Sequence, residues 1–424
     1  MSLLIRRAEI RGAIRDVHVA RGRVTAIGDG LPPAEQVIDA AGGALLPGLH
    51  DHHLHVLALT AAWESVDCSA GLSGLTRVPG EGWIRGVNCA ESLDRHALDR
   101  LVPTRPVRVQ HRSGALWMLN SAALEQVSSA LDDSADVERD EHGEPTGRLW
   151  RYDARLRGAL PSSDPDVAET GRRLAGLGIT GLTDATPDLD PRGVELLRRV
   201  PQRLTLLGDP AGTAPRKLHL RDHDLPSYDQ LVDMIARTHA AGRAVAVHCV
   251  TRASLVLTLA VLEDVGTLRG DRIEHAAVVP ESTAAWMARL GLVVVTQPDF
   301  LRTRGDSYRR EVAPDDLPCL YPYASLIAAG VPTCASSDAP YGEVDPWRVM
   351  ASAADRAINP AEAVPVETAL AGYLSPPQDP GGPPRRVAVG EPADLVLLDV
   401  PVDVALRDPD ARHVRLTLIA GSII

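Results

Sequence analysis

The segment Pro47-Gly48-Leu49-His50-Asp51-His52-His53-Leu54-His55 packs four histidines into six residues, just behind the apolar run Ala44-Leu45-Leu46. On a strand, alternate residues face the same way, so His53 and His55 can point at one ion while Leu54 packs behind. Neutral imidazoles bind zinc-like ions at about 2.0–2.1 Å. A His-rich surface loop is the competing reading, but the preceding residues look like a buried strand. Four later segments end in residues of the same chemical kind: Arg216-Lys217-Leu218-His219, Val245-Ala246-Val247-His248, Arg272-Ile273-Glu274-His275 and Thr333-Cys334-Ala335-Ser336-Ser337-Asp338. Any one of these histidines, taken singly, reads as a satisfied core residue. The ordered series His, His, Lys, His, His, Asp does not.

Lys217 is the single lysine among 44 basic residues. A chain that otherwise uses arginine has kept an amine here. Arginine cannot replace an amine that must react in its neutral form, because its guanidinium stays protonated. A surviving surface lysine in an ion pair is the plainer alternative.

These residues need a scaffold that collects strand ends. Candidate strands run over 44–55, 179–184, 203–207, 216–220, 244–249, 272–277, 292–297 and 333–338, with helical patterns between most of them, such as 228–241 and 252–265. Eight strands alternating with helices predict a TIM-like (β/α)₈ barrel over residues 48–385, whose chemistry sits at the C-terminal strand ends. The count requires residues of about 60–165 to be an insertion after the first strand. That insertion holds Pro103–Gln110, a helical Asn120–Leu131 and a polar loop, Asp132–His142. Both termini read as short strands: 3–10, 13–20 and 23–27 at one end, 393–398 and 413–419 at the other. Segments 1–47 and 386–424 are therefore expected to form a small β-sandwich, after a stiff Pro/Gly linker at 376–384.

The ordered set resembles the amidohydrolase superfamily. The matching features are Pro-Gly-Leu-x-Asp-x-His-x-His at 47–55, Lys217, His248, Arg-Ile-Glu-His at 272–275, Ser-Ser-Asp at 336–338 and Gly-x-Pro-Ala-Asp-Leu at 390–395. Shorter motifs resemble the subgroup containing N-substituted formamide deformylase: Ser113-Gly114-x5-Asn120-Ser121-x-Ala123-Leu124, Gly143-Glu144-Pro145-Thr146-Gly147, Thr296-Gln297-Pro298 and Ser337-Asp338-Ala339-Pro340-Tyr341. One departure is Ala115, where relatives often carry histidine. A contact made by that histidine is absent here or falls to another group such as His111.

The resemblance implies roles. His53, His55 and Asp338 would hold a first divalent ion, and His248 and His275 a second. An N6-carboxylated Lys217 would bridge them, since a carbamate offers two oxygens. Zinc is the expected metal, in one or two copies, with Mn, Fe or Ni also suited to this donor set. The ion would lower the pKa of a bound water towards ~7. Asp338 would be the general base and proton carrier, with His275 as a further catalytic or orienting group. Weaker substrate-binding candidates are His111, Arg112, Trp117, Asn120, His219 and Tyr341. Trp117 and Asn120 read equally well as packing and a helix cap. Cys249 and Cys334 read as core, and Asp184 as structural.

Bulk properties narrow the partners. A formal charge of −12 disfavours nucleic acid and anionic membranes. No apolar run approaches the ~20 residues of a membrane helix, and residues 1–7 lack a signal-peptide pattern. Five scattered cysteines without a CxxC pair suggest a reducing cytoplasm. The expected activity is hydrolysis of a C–N bond in a small amide, N-acyl or cyclic amide substrate, with homo-oligomerisation compatible but not encoded. A cyclic-amidine deaminase is the alternative enzyme. Such enzymes want an acid just after the third histidine, where this chain reads Cys249-Val250-Thr251. A barrel that has lost its metal and serves as an interaction module is the third reading. It fits poorly with six ligand-type residues intact.

Overall fold

The computed structural model describes residues 2–112, 114–152, 155–156, 158–160 and 164–424. Ser113 of the Ser-Gly motif lies outside the described residues. The chain divides into two compact units, Leu57–Asp166 and the remainder.

The larger unit contains eight parallel strands: β1 (Leu49–Leu54), β2 (Ile179–Asp184), β3 (Arg203–Leu206), β4 (Arg216–His219), β5 (Val245–Cys249), β6 (Arg272–His275), β7 (Val293–Thr296) and β8 (Thr333–Ala335). Their ladders form two sheets, β3-β2-β1 and β4-β5-β6-β7-β8. Backbone bonds join the sheets at both seams. Lys217 N donates to Leu207 O at 3.0 Å, and Asp338 N donates to His53 O at 2.8 Å. Every residue of β1, β2, β6, β7 and β8 is buried, as expected of parallel strands covered on both faces.

The helices at Tyr228–Ala240 and Arg252–Val265 match their expected spans because each is fixed by a reciprocal cap. Ser227 pairs with Gln230, and Thr251 with Ser254. Their apolar faces join Val245, Val247 and Ile273 in one core behind the strands.

The anticipated strand 44–55 is broken at Gly48. Leu45–Pro47 pairs antiparallel with Leu395–Leu398 in a different sheet, and only Leu49–Leu54 enters the parallel set. A Cβ at Gly48 would lie 2.1 Å from the Thr180 side chain, so glycine is what lets the chain pass between the two sheets. The N-terminal strands Ser2–Ile10, Ala13–Ala20, Arg23–Gly28 and Gln36–Asp39 form a four-stranded sheet. The C-terminal strands and Leu45–Pro47 form another. Leu3, Ile5, Val17, Val19, Leu395, Leu397 and Leu418 fill one core from both sheets.

Residues 57–166 depart most from expectation. They are built on a six-stranded sheet, Val66–Asp67, Ile84–Cys89, Val107–His111, Leu116–Leu119, Val137–Arg139 and Pro145–Trp150. The segment 120–131 is not one helix. Asn120 caps Ser121–Gln126, and a 3₁₀ turn follows at Ser128–Ala130.

On β1 the side chains alternate. His50 Nε2 meets Thr183 Oγ1 at 2.8 Å, and His52 Nε2 meets Ser375 Oγ at 3.0 Å, both on the helix-facing side. Asp51 and His53 face the other way. A Cβ at Gly181 would come within 2.2 Å of His50 Nδ1. Gly181→Ala therefore overpacks the joint between β1 and β2. It is expected to cost about 1–3 kcal/mol in chemical denaturation, while alanine at Gly82, where a Cβ would meet nothing within 4 Å, would show no comparable steric cost.

Candidate metal centre

His53, His275 and Asp338 form the one group of metal-type donors found among the described residues, their ligand atoms within 4.8 Å of one another and all three buried. His55 joins them: its Nε2 lies 3.2 Å from Asp338 Oδ1, and His53 Nε2 lies 3.4 Å from the same oxygen. Asp338 Oδ1 is nevertheless buried without a hydrogen-bond partner among the described residues. Two imidazole nitrogens converging on an unsatisfied carboxylate oxygen form a donor set that suits a cation at their centre.

His53 is held from behind. Its Nδ1 contacts the Glu274 carboxylate, whose other oxygen takes the Arg272 Nε–H. Arg272 also donates to His52 O at 2.9 Å. A carboxylate only accepts, so the Nδ1 carries the proton and the Nε2 lone pair faces the donor group. His275 is fixed similarly: Nδ1 meets Gln297 Oε1 at 2.7 Å, and Gln297 donates to Ser336 Oγ at 2.9 Å.

Lys217 is buried, with Nζ 3.5 Å from His53 Nε2. Burial pushes its ammonium below the usual range, with Glu274 and Asp338 pulling the other way. The imidazole rings continue outward from the group. His248 lies 4.4 Å from His275 between centroids, and His219, which is exposed, lies 4.7 Å from His248. His219 also lines an open cavity of about 560 Å³ with Arg221, Asp224 and Gln230. Tyr341 is 57% exposed, and its ring packs edge-on to His55 at 5.5 Å. All six expected ligands and two of the weaker candidates thus fall in one neighbourhood, although His248 and Lys217 stand outside the tightest donor group.

The other four candidates belong to the 57–166 unit. Asn120 is wholly consumed by structure. Its Oδ1 accepts from Val107 N and Ala123 N, and its Nδ2 donates to Val102 O and Arg105 O. This removes it as a substrate contact. Trp117 is buried in that unit's core, with the Arg85 and Arg108 guanidinia 5.5 and 5.1 Å from its ring. His111 Nε2 approaches Ala90 O at 3.3 Å, and the exposed Arg112 has its backbone N–H on Cys89 O. Asp184 is structural, accepting from Val56 N and Thr186 N.

Glu274, Arg272 and Gln297 were visible in the motifs but had no assigned role. Period-2 alternation would put Glu274 and His275 on opposite faces. His275 (φ 70°), Ala276 (φ 46°) and Asp338 (φ 52°) are left-handed, and that turn of the backbone brings both Glu274 and His275 to His53.

Comparison with known proteins identifies the family. The amidohydrolase family pattern matches residues 36–424. The chain belongs to the amidohydrolase family. It is 25% identical to N-substituted formamide deformylase of Arthrobacter pascens, over 96% of this chain and 94% of that protein. In fold it is similar to an uncharacterized metal-dependent hydrolase from Pyrococcus furiosus (TM-score 0.75, 20% identity, 94% of this chain and 99% of that one). It is also similar to N-isopropylammelide isopropylaminohydrolase from Burkholderia multivorans (TM-score 0.60, 17% identity, 100% and 98%). Family membership carries the enzyme class, a hydrolase of carbon–nitrogen bonds other than peptide bonds. No helix among the described residues is long and apolar enough to cross a membrane.

Burial holds the imidazoles neutral. His53 is lowered to about 4, His275 and His52 to about 3, and His50 well below its usual value, desolvation being the largest cause in each. Asp51 moves the other way, to about 6, also through burial. A histidine whose folded pKa is depressed stabilises the fold above its unfolded pKa of 6.5, and loses that contribution as pH falls towards the folded value. These histidines, joined by His248 and His219, outnumber the raised carboxyls of Asp51 and Asp345. The melting temperature of chelator-treated protein is therefore expected to fall steadily between pH 6.5 and 4. A flat profile over that window, measured by circular dichroism, would contradict neutral burial of these rings.

Proposed function

We propose that this amidohydrolase cleaves the C–N bond of a small amide, N-acyl or cyclic amide substrate at a divalent metal centre, with Asp338 moving the proton. The observation that carries the reading is the unsatisfied Asp338 Oδ1 facing His53 and His55 Nε2, with His275 and Lys217 beside them. We take the eight parallel strands as a closed (β/α)₈ barrel, joined at the two seams, with 1–47 and 386–424 as a separate sandwich domain.

In this proposal His53, His55 and Asp338 hold one ion. His248 and His275 would hold a second, with a carboxylated Lys217 as a further oxygen donor to the site. Zinc suits the donor set best. When bound, the ions would acidify water and polarise the scissile carbonyl. The rest of the chemistry belongs to the chain. Burial alone would raise the Asp338 carboxyl, but His55, His53 and His275 hold it well below the usual range. It is thus ionised at neutral pH and able to accept a proton from water, then return it to the departing nitrogen. Glu274 keeps the His53 proton on Nδ1, and Gln297 orients His275. Lys217, lowered by burial, has an amine that can add carbon dioxide, forming an N–C bond and releasing a proton. The same structure supports deamination less well, because Cys249, Val250 and Thr251 follow His248 and supply no acid. A cytoplasmic location fits the unpaired cysteines.

Asp338→Asn is expected to lower kcat by roughly 10²–10⁴-fold, with an unchanged fold by circular dichroism; near-wild-type turnover on an amide panel refutes Asp338 as proton carrier. Elemental analysis of protein prepared without chelators is expected to find two ions per chain, with native mass spectrometry showing one carbon dioxide added at Lys217. Lys217→Arg should lose one ion and the adduct together. One ion and a bare lysine in the wild type would end the carbamate role without touching the hydrolase.

A further inference from the structure

At the rim of the metal site, beside Tyr341, lies an arginine with no carboxylate partner among the described residues. Arg304 joins the short helices Phe300–Thr303 and Gly305–Glu311. Two arginines on this stretch pair with acids, Arg302 with Asp299 at 2.8 Å and Glu343 at 3.5 Å, and Arg309 with Asp306 at 3.1 Å; the exposed Arg310 has no such pair among the described residues. Arg304 is exposed and has no carboxylate partner among the described residues.

It is nevertheless held in place. Its guanidinium lies over the Phe300 ring, 4.1 Å from the centroid. One Nη donates to Tyr341 O at 2.7 Å, and the guanidinium charge acts on the Tyr308 hydroxyl nearby. Tyr308 is in turn tied to the Tyr321 hydroxyl at 3.2 Å, and Tyr321 is buried with a left-handed backbone (φ 46°). A bulky residue at positive φ is a genuine outlier, kept only where its surroundings demand it.

These supports are the walls of the metal site. Tyr341 donates its backbone N–H to Asp338 O at 2.9 Å and stacks against His55. Phe300 packs so close to the same turn that a Cβ at Gly342 would lie 2.8 Å from its ring. The Asp338 carboxylate acts electrostatically on both tyrosine hydroxyls. The guanidinium is therefore preorganised beside the proposed proton carrier, with N–H groups left over and a full charge unspent. A planar fork of donors matches a carboxylate better than a neutral group does.

We propose that Arg304, positioned by Tyr308, Tyr321 and the Phe300 ring, is a specificity-determining residue that binds a carboxylate on the substrate. The substrate class is then an amide whose acyl or amine portion carries a carboxylate, such as an N-acylated amino acid. The proposal rests on the hydrolase reading for its location but is tested by binding, so the two fail separately. Metal-loaded protein is titrated calorimetrically with N-acetyl amino acids of both configurations and with their carboxamides. Binding reads as a saturable heat, and turnover as a continuous one.

At least one carboxylate is expected to bind about tenfold or more tightly than its carboxamide. The preference should vanish in Arg304→Gln, return in part in Arg304→Lys, and weaken in Tyr308→Phe. Equal binding of the two series by the wild type overturns the proposal, and that comparison needs no variant to fold. A preference that survives in Arg304→Gln also overturns it, as does failure of every probe to bind at millimolar concentration. Selective binding without continuous heat leaves Arg304 in place and counts against the assigned reaction.

Discussion

The contact between Glu274 and His53 Nδ1 is what the rest of the site depends on. It lies where no water reaches, and Glu274 is fully buried with Arg272 on its far oxygen. Burial alone would raise the Glu274 carboxyl, but Arg272, His53 and Lys217 hold it well below its usual value, so it stays charged. That charge fixes the His53 proton at the back of the ring and leaves the front nitrogen as a lone pair. Removing Glu274 would leave Arg272 as an uncompensated buried charge, which typically costs 3–5 kcal/mol. The Arg272–Glu274–His53 chain is thus both a folding constraint and a device for presenting one nitrogen.

The backbone around this contact is arranged at some conformational cost. His275, Ala276 and Asp338 sit at positive φ, where ordinary side chains are disfavoured by order 1 kcal/mol or more. The costs are offset by local bonds. Ala276 N reaches Glu274 O, Asp338 N reaches His53 O, and His55 N reaches Ala339 O. The last two also close the seam between β1 and β8. The chain therefore uses the same bonds to join its sheets and to turn Asp338 inward, which ties the site's geometry to the integrity of the strand array.

What was legible in the sequence follows from this. His53, Lys217, His248 and His275 could be read because strand ends in a parallel array collect in one place, and unusual residues at those ends stand out. The capped helices at 228–240 and 252–265 were legible because their signals are local. Glu274 was not readable as His53's partner, since strand alternation separates it from His275 and only a left-handed turn reunites them. The six-stranded sheet in 57–166 was hidden for another reason. Its strands are short apolar runs such as Leu116–Leu119, which periodicity cannot distinguish from helix, and their pairing is settled by partners distant in sequence. For Asn120 the sequence left a pocket contact and a helix cap equally open, and only its four bonds decide for the cap. The break at Gly48 did have a local signal, since Pro47-Gly48 is a dipeptide that marks turns, but the buried residues on both sides made 44–55 read as one strand.

The use of arginine and lysine closes the argument. Arginine supplies charge that must not vary: Arg272 behind Glu274, Arg385 on the Gly48 carbonyl, and Arg304 over Phe300. Each guanidinium is pinned by geometry a flexible ammonium would not hold. Between these fixed charges lies a zone where burial keeps imidazoles neutral and lowers the one amine. Neutral nitrogen is what a metal ligand requires, and also what carbon dioxide addition requires. The one lysine of the chain lies at 217, buried beside His53, where desolvation lowers its pKa and suits it to the carbamate role proposed above.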